Sequence, residues 1–265
     1  MTDERCSGVT IEKVSKTYRG VSDQETVKAL SEVSLDIAPG EFVSILGPSG
    51  CGKSTLLRCV AGLETASTGT IRVGDTLVKE PPEKLGMVFQ RDALLDWRSV
   101  LANVMLPIDF RHGRRSDFLP RARELLETFG LADFADSFPS QLSGGMRQRA
   151  SICRALIDDP QLLLMDEPFG ALDALTREQL NVELQSIWMK SHKTVMFVTH
   201  SIAEAVFLAD RVVVFTPRPG SIAEILKIET PRPRRLEVRG SHEFTQYVDR
   251  IRDLFADMGL LRESP

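Results

Sequence analysis

The chain has 265 residues, of which 42% are hydrophobic and 26% charged, with a net charge of −4 and a pI near 5.7. That length supports a substantial core, built as one elaborated domain or two small ones. Mild acidity gives no footing for non-specific nucleic-acid binding, and no stretch approaches the roughly eighteen consecutive apolar residues of a membrane span.

The first residues, Met1-Thr2-Asp3-Glu4-Arg5-Cys6-Ser7, lack the apolar core of a secretory leader. Val9 to Val14 alternates and reads as a strand that leads to Tyr18. Glu41 to Leu46 is apolar-rich and reads as a buried strand. It runs into Gly47-Pro48-Ser49-Gly50-Cys51-Gly52-Lys53-Ser54-Thr55, and a helix follows from Ser54 to Ala61, closed by Gly62. Three glycines let successive backbone N–H groups curl inward onto phosphate oxygens, with the positive end of the helix behind them. Lys53 is then placed for the β/γ-phosphates and the Ser54 hydroxyl for Mg²⁺. An ordinary glycine-rich strand–helix turn is the competing reading, and the flanking elements weigh against it. Cys51 has two readings: a thiol activated by the helix N-terminus, or a small tolerated side chain, which we prefer; in vitro alkylation is compatible with either. The four cysteines, Cys6, Cys51, Cys59 and Cys153, have no metal-ligand spacing, and one sits in this loop, which argues against a disulfide framework.

Residues 98–158 read as mostly helical, as in Arg121 to Phe129 with Gly130 as its stop. Within them Leu142-Ser143-Gly144-Gly145-Met146-Arg147-Gln148-Arg149 is a second glycine-rich turn that opens a helix. Leu162 to Met165 is an apolar run ending in Asp166 and Glu167, where a central parallel strand delivers acids to the carboxyl edge of its sheet. Asp166 is expected to hold Mg²⁺, and Glu167 to polarise an attacking water. Strand, helix, strand, helix and strand then alternate from Leu162 to Phe215, which predicts a parallel sheet flanked by helices. After Pro217 a further strand is expected over Ser221 to Ile228. Pro231-Arg232-Pro233-Arg234-Arg235 reads as a stiff basic linker with solvated charges. Phe244, Tyr247, Val248, Ile251, Leu254, Phe255 and Met258 share one helix face, expected to pack on the chain's own core, with a partner contact as the alternative. There is no internal repeat.

With two glycine-rich turns and an acidic strand in this order, the chain resembles the nucleotide-binding subunit of an ABC transporter over roughly residues 8–230. Further positions carry the resemblance: Gln90 after Leu85-Gly86-Met87-Val88-Phe89, Ala171-Leu172-Asp173, His200 closing Thr194 to Thr199, and Tyr18. The resemblance implies an α/β P-loop NTPase core with a mostly parallel sheet, an antiparallel β subdomain and a helical subdomain inserted at about 91–159. It places residues 1–230 in the ATPase domain and 231–265 in a linker and terminal amphipathic helix. It implies ATP and Mg²⁺ as ligands, Tyr18 stacking on adenine, and Gln90 contacting Mg²⁺ and water. By the same likeness His200 reaches the γ-phosphate, Asp173 crosses a dimer seam, and Ser143, Gly144 and Gly145 meet ATP held by a second copy.

The implied partners are that second copy, integral-membrane permease subunits at the cytoplasmic face of the inner membrane, and indirectly an external substrate-binding protein. Ala93-Leu94-Leu95-Asp96-Trp97-Arg98-Ser99-Val100 looks like the coupling groove of nitrate, sulfonate and taurine importers, with Asp96 where that group has proline. The alternative is that Leu94, Leu95 and Trp97 are interior core. Two other functions are weighed: an ABC ATPase acting on nucleic acid or ribosomes, which would carry tandem domains, coiled coils or basic insertions, and an ATP trap without turnover, which Glu167 and His200 argue against.

Overall fold

The computed structural model describes residues 7–19, 26–111, 113–170 and 172–261; Cys6 and Ala171 lie outside them. Two sheets organise the chain. The first is antiparallel, in the order β2-β1-β4-β5, from β1 (Val9–Arg19), β2 (Thr26–Ile37), β4 (Thr68–Val73) and β5 (Thr76–Leu77). The second has the order β10-β9-β3-β8-β7-β6. Its members are β3 (Phe42–Leu46), β6 (Leu85–Val88), β7 (Leu162–Asp166), β8 (Thr194–Thr199), β9 (Arg211–Phe215) and β10 (Ile222–Lys227). All its pairings are parallel except that of β10 with β9. The expected strand over Ser221 to Ile228 is thus an antiparallel edge strand.

Every residue of β3, β7 and β8 is buried, which is why these segments read as unbroken apolar runs. Strand alternation still sorts them onto two faces. Phe42, Leu46, Leu163, Met165, Val195 and Phe197 face one core; Val43, Ile45, Leu162, Leu164, Met196 and Val198 face the other. The second core is closed by α1 (Lys53–Val60) and the antiparallel sheet. Helix α1 starts one residue before the expected Ser54 and ends through Gly62, whose φ of 68° is the left-handed geometry that closes helices.

The helical region comprises α2 (Val100–Val104), α3 (Leu106–Phe110), α4 (Arg115–Thr128) and α5 (Gly144–Leu156), followed across β7 by α6 (Ala174–Ser191) and then α7 (Ile202–Leu208). Among the described residues no helix is long and apolar enough to cross a membrane. The last helix, α8 (His242–Asp257), starts at Ser241, whose hydroxyl accepts from Phe244 N. Phe244 and Ile251 are buried in the first core, and Tyr247, Val248, Leu254, Phe255 and Met258 pack against it. The amphipathic face therefore docks within its own chain; burying Phe244 and Ile251 contributes roughly 1.5–3 kcal/mol each.

The basic segment before α8 corrects the sequence reading. Arg234 is only 3% exposed. Its Nη1 donates to the carbonyls of Val206 (3.0 Å), Phe207 (3.0 Å) and Ala209 (2.7 Å), and its Nε to Thr230 (3.0 Å). It thereby caps the carbonyls that the end of α7 leaves unpaired. Burial lowers its pKa to about 10. Arg232 pairs with Asp210 at 2.8 Å and lies 4.2 Å over the Trp188 ring. Two of the three arginines expected in solvent are structural, and Arg235 alone is exposed.

Arg234→Met should therefore destabilise the chain by about 2–4 kcal/mol, because it strands buried carbonyls. Arg235→Met should change stability by less than about 0.5 kcal/mol. Urea denaturation of both variants checks this; equal effects would contradict the assignment.

Candidate nucleotide site

Strand β3 feeds the glycine loop directly. Gly50 and Gly52 have φ of 75° and 104°, conformations open to glycine at little cost. At Gly52 a Cβ would also stand 2.7 Å from the Ala29 carbonyl oxygen. Behind the loop, a Cβ on Gly220 would fall 1.9 Å from the Cys51 carbonyl oxygen, so the Thr216 to Gly220 turn presses on the loop's outer side. Lys53 is buried, and its ammonium donates to the carbonyls of Gly47 and Pro48, both at 2.8 Å. Cys51 is buried too, and burial raises its thiol pKa despite Lys53 nearby. The small-side-chain reading of Cys51 stands, and the activated-thiol reading does not.

Asp166 and Glu167, adjacent at the end of β7, go separate ways. The Ser54 hydroxyl donates to Asp166 Oδ1 at 2.6 Å, which ties the loop to the strand. Burial pushes the Asp166 carboxyl above its ordinary range. Glu167 sits at φ 44°, rare for a residue with a side chain and a common form of strain at functional sites. Its backbone N–H continues the ladder to Val198 O at 2.9 Å. Its Oε2 accepts from Gln90 Nε2 at 3.2 Å and lies 3.2 Å from His200 Nδ1. The structure thus brings Ser54, Asp166, Glu167, Gln90 and His200 together from four separated segments.

The loop after Gln90 is fastened by residues to which sequence reading assigned no such role. Arg154 donates to the carbonyls of Asp92 and Ala93, each at 2.7 Å, and Arg147 pairs with the Asp92 carboxylate at 3.0 Å. Both arginines are on α5, seven residues apart, a spacing that in retrospect marks one helix face. Asn103, fully buried, accepts from Leu95 N and donates to Leu95 O, Arg98 O and Ser99 O. Leu94 is core, at 9% exposure, whereas Trp97 is 74% exposed. The expectation that both leucines and the tryptophan are displayed together fails at Leu94, because the helical region draws that side chain inward.

Other expected residues stand apart from this cluster. Ser143 is exposed and caps α5, accepting from Met146 N at 3.2 Å. Gly145 abuts α6, since a Cβ there would lie 2.8 Å from Thr176 Cγ2. Asp173 caps α6, and its bond from Thr176 N lowers its pKa. Tyr18 is half-buried near the end of β1, with the Lys16 ammonium 4.9 Å from its ring centroid.

The chemistry of this arrangement is that of a phosphate and cation cradle. A desolvated carboxylate, Asp166, held against a hydroxyl at a loop of inward-turning glycines, fits a hard divalent cation that brings phosphate oxygens with it. The neighbouring Glu167 is held by an amide and an imidazole, which fits orientation of a nucleophile rather than cation capture.

Comparison with known proteins agrees. Residues 30–170 match the ABC transporter family. An ABC transporter ATP-binding protein of Methanocaldococcus jannaschii is 47% identical over 87% of this chain and 85% of its own. The taurine import ATP-binding protein TauB of Rhizobium johnstonii is 46% identical over 90% and 93%, and the bicarbonate transport ATP-binding protein CmpD of Synechocystis is 45% identical over 85% and 80%. Among solved structures, a dimeric ATP-binding cassette in a post-hydrolysis state with ADP and Pi superposes with a TM-score of 0.74. It is 34% identical, covering 83% of this chain and 98% of that one. The fold and the site define a P-loop ATPase. The chain belongs to the ABC transporter family, as an ATP-binding, ATP-hydrolysing subunit.

Burial makes one reactivity forecast specific. In the native chain a maleimide should modify Cys51 at least about 100-fold more slowly than a free thiol peptide at pH 7.5, since the thiolate is both disfavoured and covered. Peptide mass mapping after timed labelling measures this. Labelling of Cys51 at the model-thiol rate would contradict it.

Proposed function

We propose that this ATPase subunit powers an importer for a small anion of the nitrate, sulfonate or taurine class, through closure of two copies around ATP. The observation that carries the proposal is the convergence of Gln90 and His200 on Glu167, one residue beyond the Ser54–Asp166 pair. Relatives named for taurine import and bicarbonate transport support the solute class, and a dimeric relative supports the pairing.

In this reading the backbone N–H groups of Gly47 to Thr55 and the Lys53 ammonium bind the phosphates, and Tyr18 stacks on the base. Ser54 and Asp166 hold Mg²⁺, with Gln90 beside them; the ion supplies charge neutralisation for the phosphates. Glu167 accepts a proton from the attacking water, and His200 orients Glu167 and meets the γ-phosphate. Ser143, Gly144 and Gly145 complete the site of the second copy, and Asp173 lies at the seam. Bringing groups from two chains onto one γ-phosphate makes turnover depend on closure.

Residues 1–230 are the ATPase domain in this reading, with the helical subdomain inserted at about 91–159; residues 231–265 are the linker and terminal amphipathic helix, whose α8 packs on the first core. Of the expected groove residues Leu94, Leu95 and Trp97, Leu94 is core and Trp97 is exposed, so the proposed membrane-facing groove keeps Trp97 and extends to Phe110. Trp97 and Phe110 are 74% and 76% exposed, and Phe110 borders a groove of about 290 Å³ with Phe89, Leu106, Pro107 and Arg111. A permease helix seated there would feel movements of Gln90, which directly follows Phe89. The subunit then works at the cytoplasmic face of the inner membrane, and an external substrate-binding protein delivers the solute to the permease.

Glu167→Gln keeps size and hydrogen bonding but removes the proton acceptor. It should slow hydrolysis by about 10²- to 10⁴-fold while ATP and Mg²⁺ hold two chains together. Adding Ser143→Arg should abolish that dimer and leave nucleotide binding to each chain intact. Size-exclusion chromatography with ATP and Mg²⁺ reads both effects. A dimer independent of ATP, or a double variant that still dimerises, would overturn the two-copy mechanism.

A further inference from the structure

We propose that Arg177 and Glu204 are positioning residues for hydrolysis, an ion pair that fixes His200 in register with the seam segment Leu172-Asp173. Glu204 stands one turn into α7 and is only 5% exposed. Its Oε2 accepts from the Thr199 hydroxyl at 2.6 Å, and the same hydroxyl oxygen accepts from Ser201 N at 3.0 Å. The Thr199 hydroxyl, itself held by this buried carboxylate, thus ties together the residues on both sides of His200.

Glu204 faces the seam segment through Arg177 of α6. Arg177 Nε lies 3.5 Å from Glu204 Oε1, and Nη2 donates to Leu172 O at 2.9 Å. The guanidinium fork thus spans two segments: one reaches His200 and, at 3.2 Å, Glu167; the other leads to Asp173. Gly145 extends the same chain of contacts to the second glycine turn, because a Cβ there would lie 2.8 Å from Thr176 Cγ2 and 4.0 Å from Leu172 Cδ2. Continuous packing and polar contacts therefore run from the Ser143 turn to the Glu167 carboxylate within one chain.

Stability is a poor reason for this pair. A buried carboxylate is desolvated, as the raised Glu204 pKa reflects, and buried ion pairs often add nothing over well-packed apolar side chains. Fixing register between two segments is the better-attested use of such a pair. Here both segments end at the reaction site, so the register that is fixed is that of His200 against the seam.

The inference rests on the proposed roles of Glu167 and His200, and the test separates the two. Steady-state ATP hydrolysis by the full chain is measured for Arg177→Met, Arg177→Lys, Glu204→Gln, the double variant Arg177→Met/Glu204→Gln, and His200→Ala. Arg177→Met and Glu204→Gln should each lower kcat at least tenfold with KM for ATP within threefold, a split that general loss of packing does not give. The double variant should match the worse single variant within twofold, because the two residues act as one unit. Arg177→Lys keeps the charge but not the fork and should fall between Arg177→Met and the parent; being only partly buried, it keeps the test open if Glu204→Gln fails to fold. Arg177 variants with kcat within twofold of the parent, or losses that multiply in the double variant, overturn the link. If His200→Ala also leaves kcat unchanged, the hydrolytic reading fails with it; if His200→Ala collapses kcat while Arg177→Met does not, only the link fails.

Discussion

Strand β7 ends at Asp166, and this site depends on how the chain turns there: Glu167 leaves the strand in the left-handed region, at φ 44°. Strand β7 is buried along its whole length, so its acids emerge only where the strand ends. Asp166 meets the Ser54 hydroxyl on the phosphate-loop side. Glu167, turned by its positive φ, meets Gln90 and His200 instead. Two adjacent carboxylates thereby reach two different environments. One is desolvated and suited to a cation; the other is held by an amide and an imidazole, as the proposed proton transfer needs.

The surroundings keep that division fixed. Strands β6 and β8 flank β7 on either side, so Gln90 and His200 follow the ends of neighbouring strands. Helix α5 holds the loop after Gln90 through Arg147 and Arg154. Since α5 also begins at Ser143, a shift of this helix moves the second glycine turn and the Gln90 loop together. The same helix lines the groove at Phe110 through Arg154 and Ala155, so the proposed permease contact and the proposed contact with a second copy's nucleotide share one rigid element.

Much of this was legible in the sequence because it is local. The glycine loop, the turn at Ser143 and the apolar run ending in Asp166 each combine backbone requirements with charge within a few residues. The alternation from Leu162 to Phe215 likewise gives the parallel sheet. The polar pairs that cross the fold were not legible. Arg232 and Arg234 sit in a proline-rich basic run that reads as solvated, and only the end of α7 reveals the carbonyls that Arg234 caps. Leu94 and Trp97 are three residues apart in one apolar-looking segment; packing against the helical region alone decides that the first is buried and the second exposed. Glu204 looks like a surface helix residue until Thr199 and Arg177 are seen to enclose it.

The central claim is that one γ-phosphate is met by Glu167 of its own chain and by the Ser143 turn of another. A crystal structure of the full chain with Mg²⁺ and a non-hydrolysable ATP analogue tests it most directly. The account predicts phosphates seated on Gly47 to Thr55, the ion beside Ser54 and Asp166, and Glu167 still held by His200. It also predicts Ser143 and Gly145 of a second copy against the γ-phosphate. Nucleotide bound away from the loop, or a γ-phosphate that no second chain touches, would contradict it.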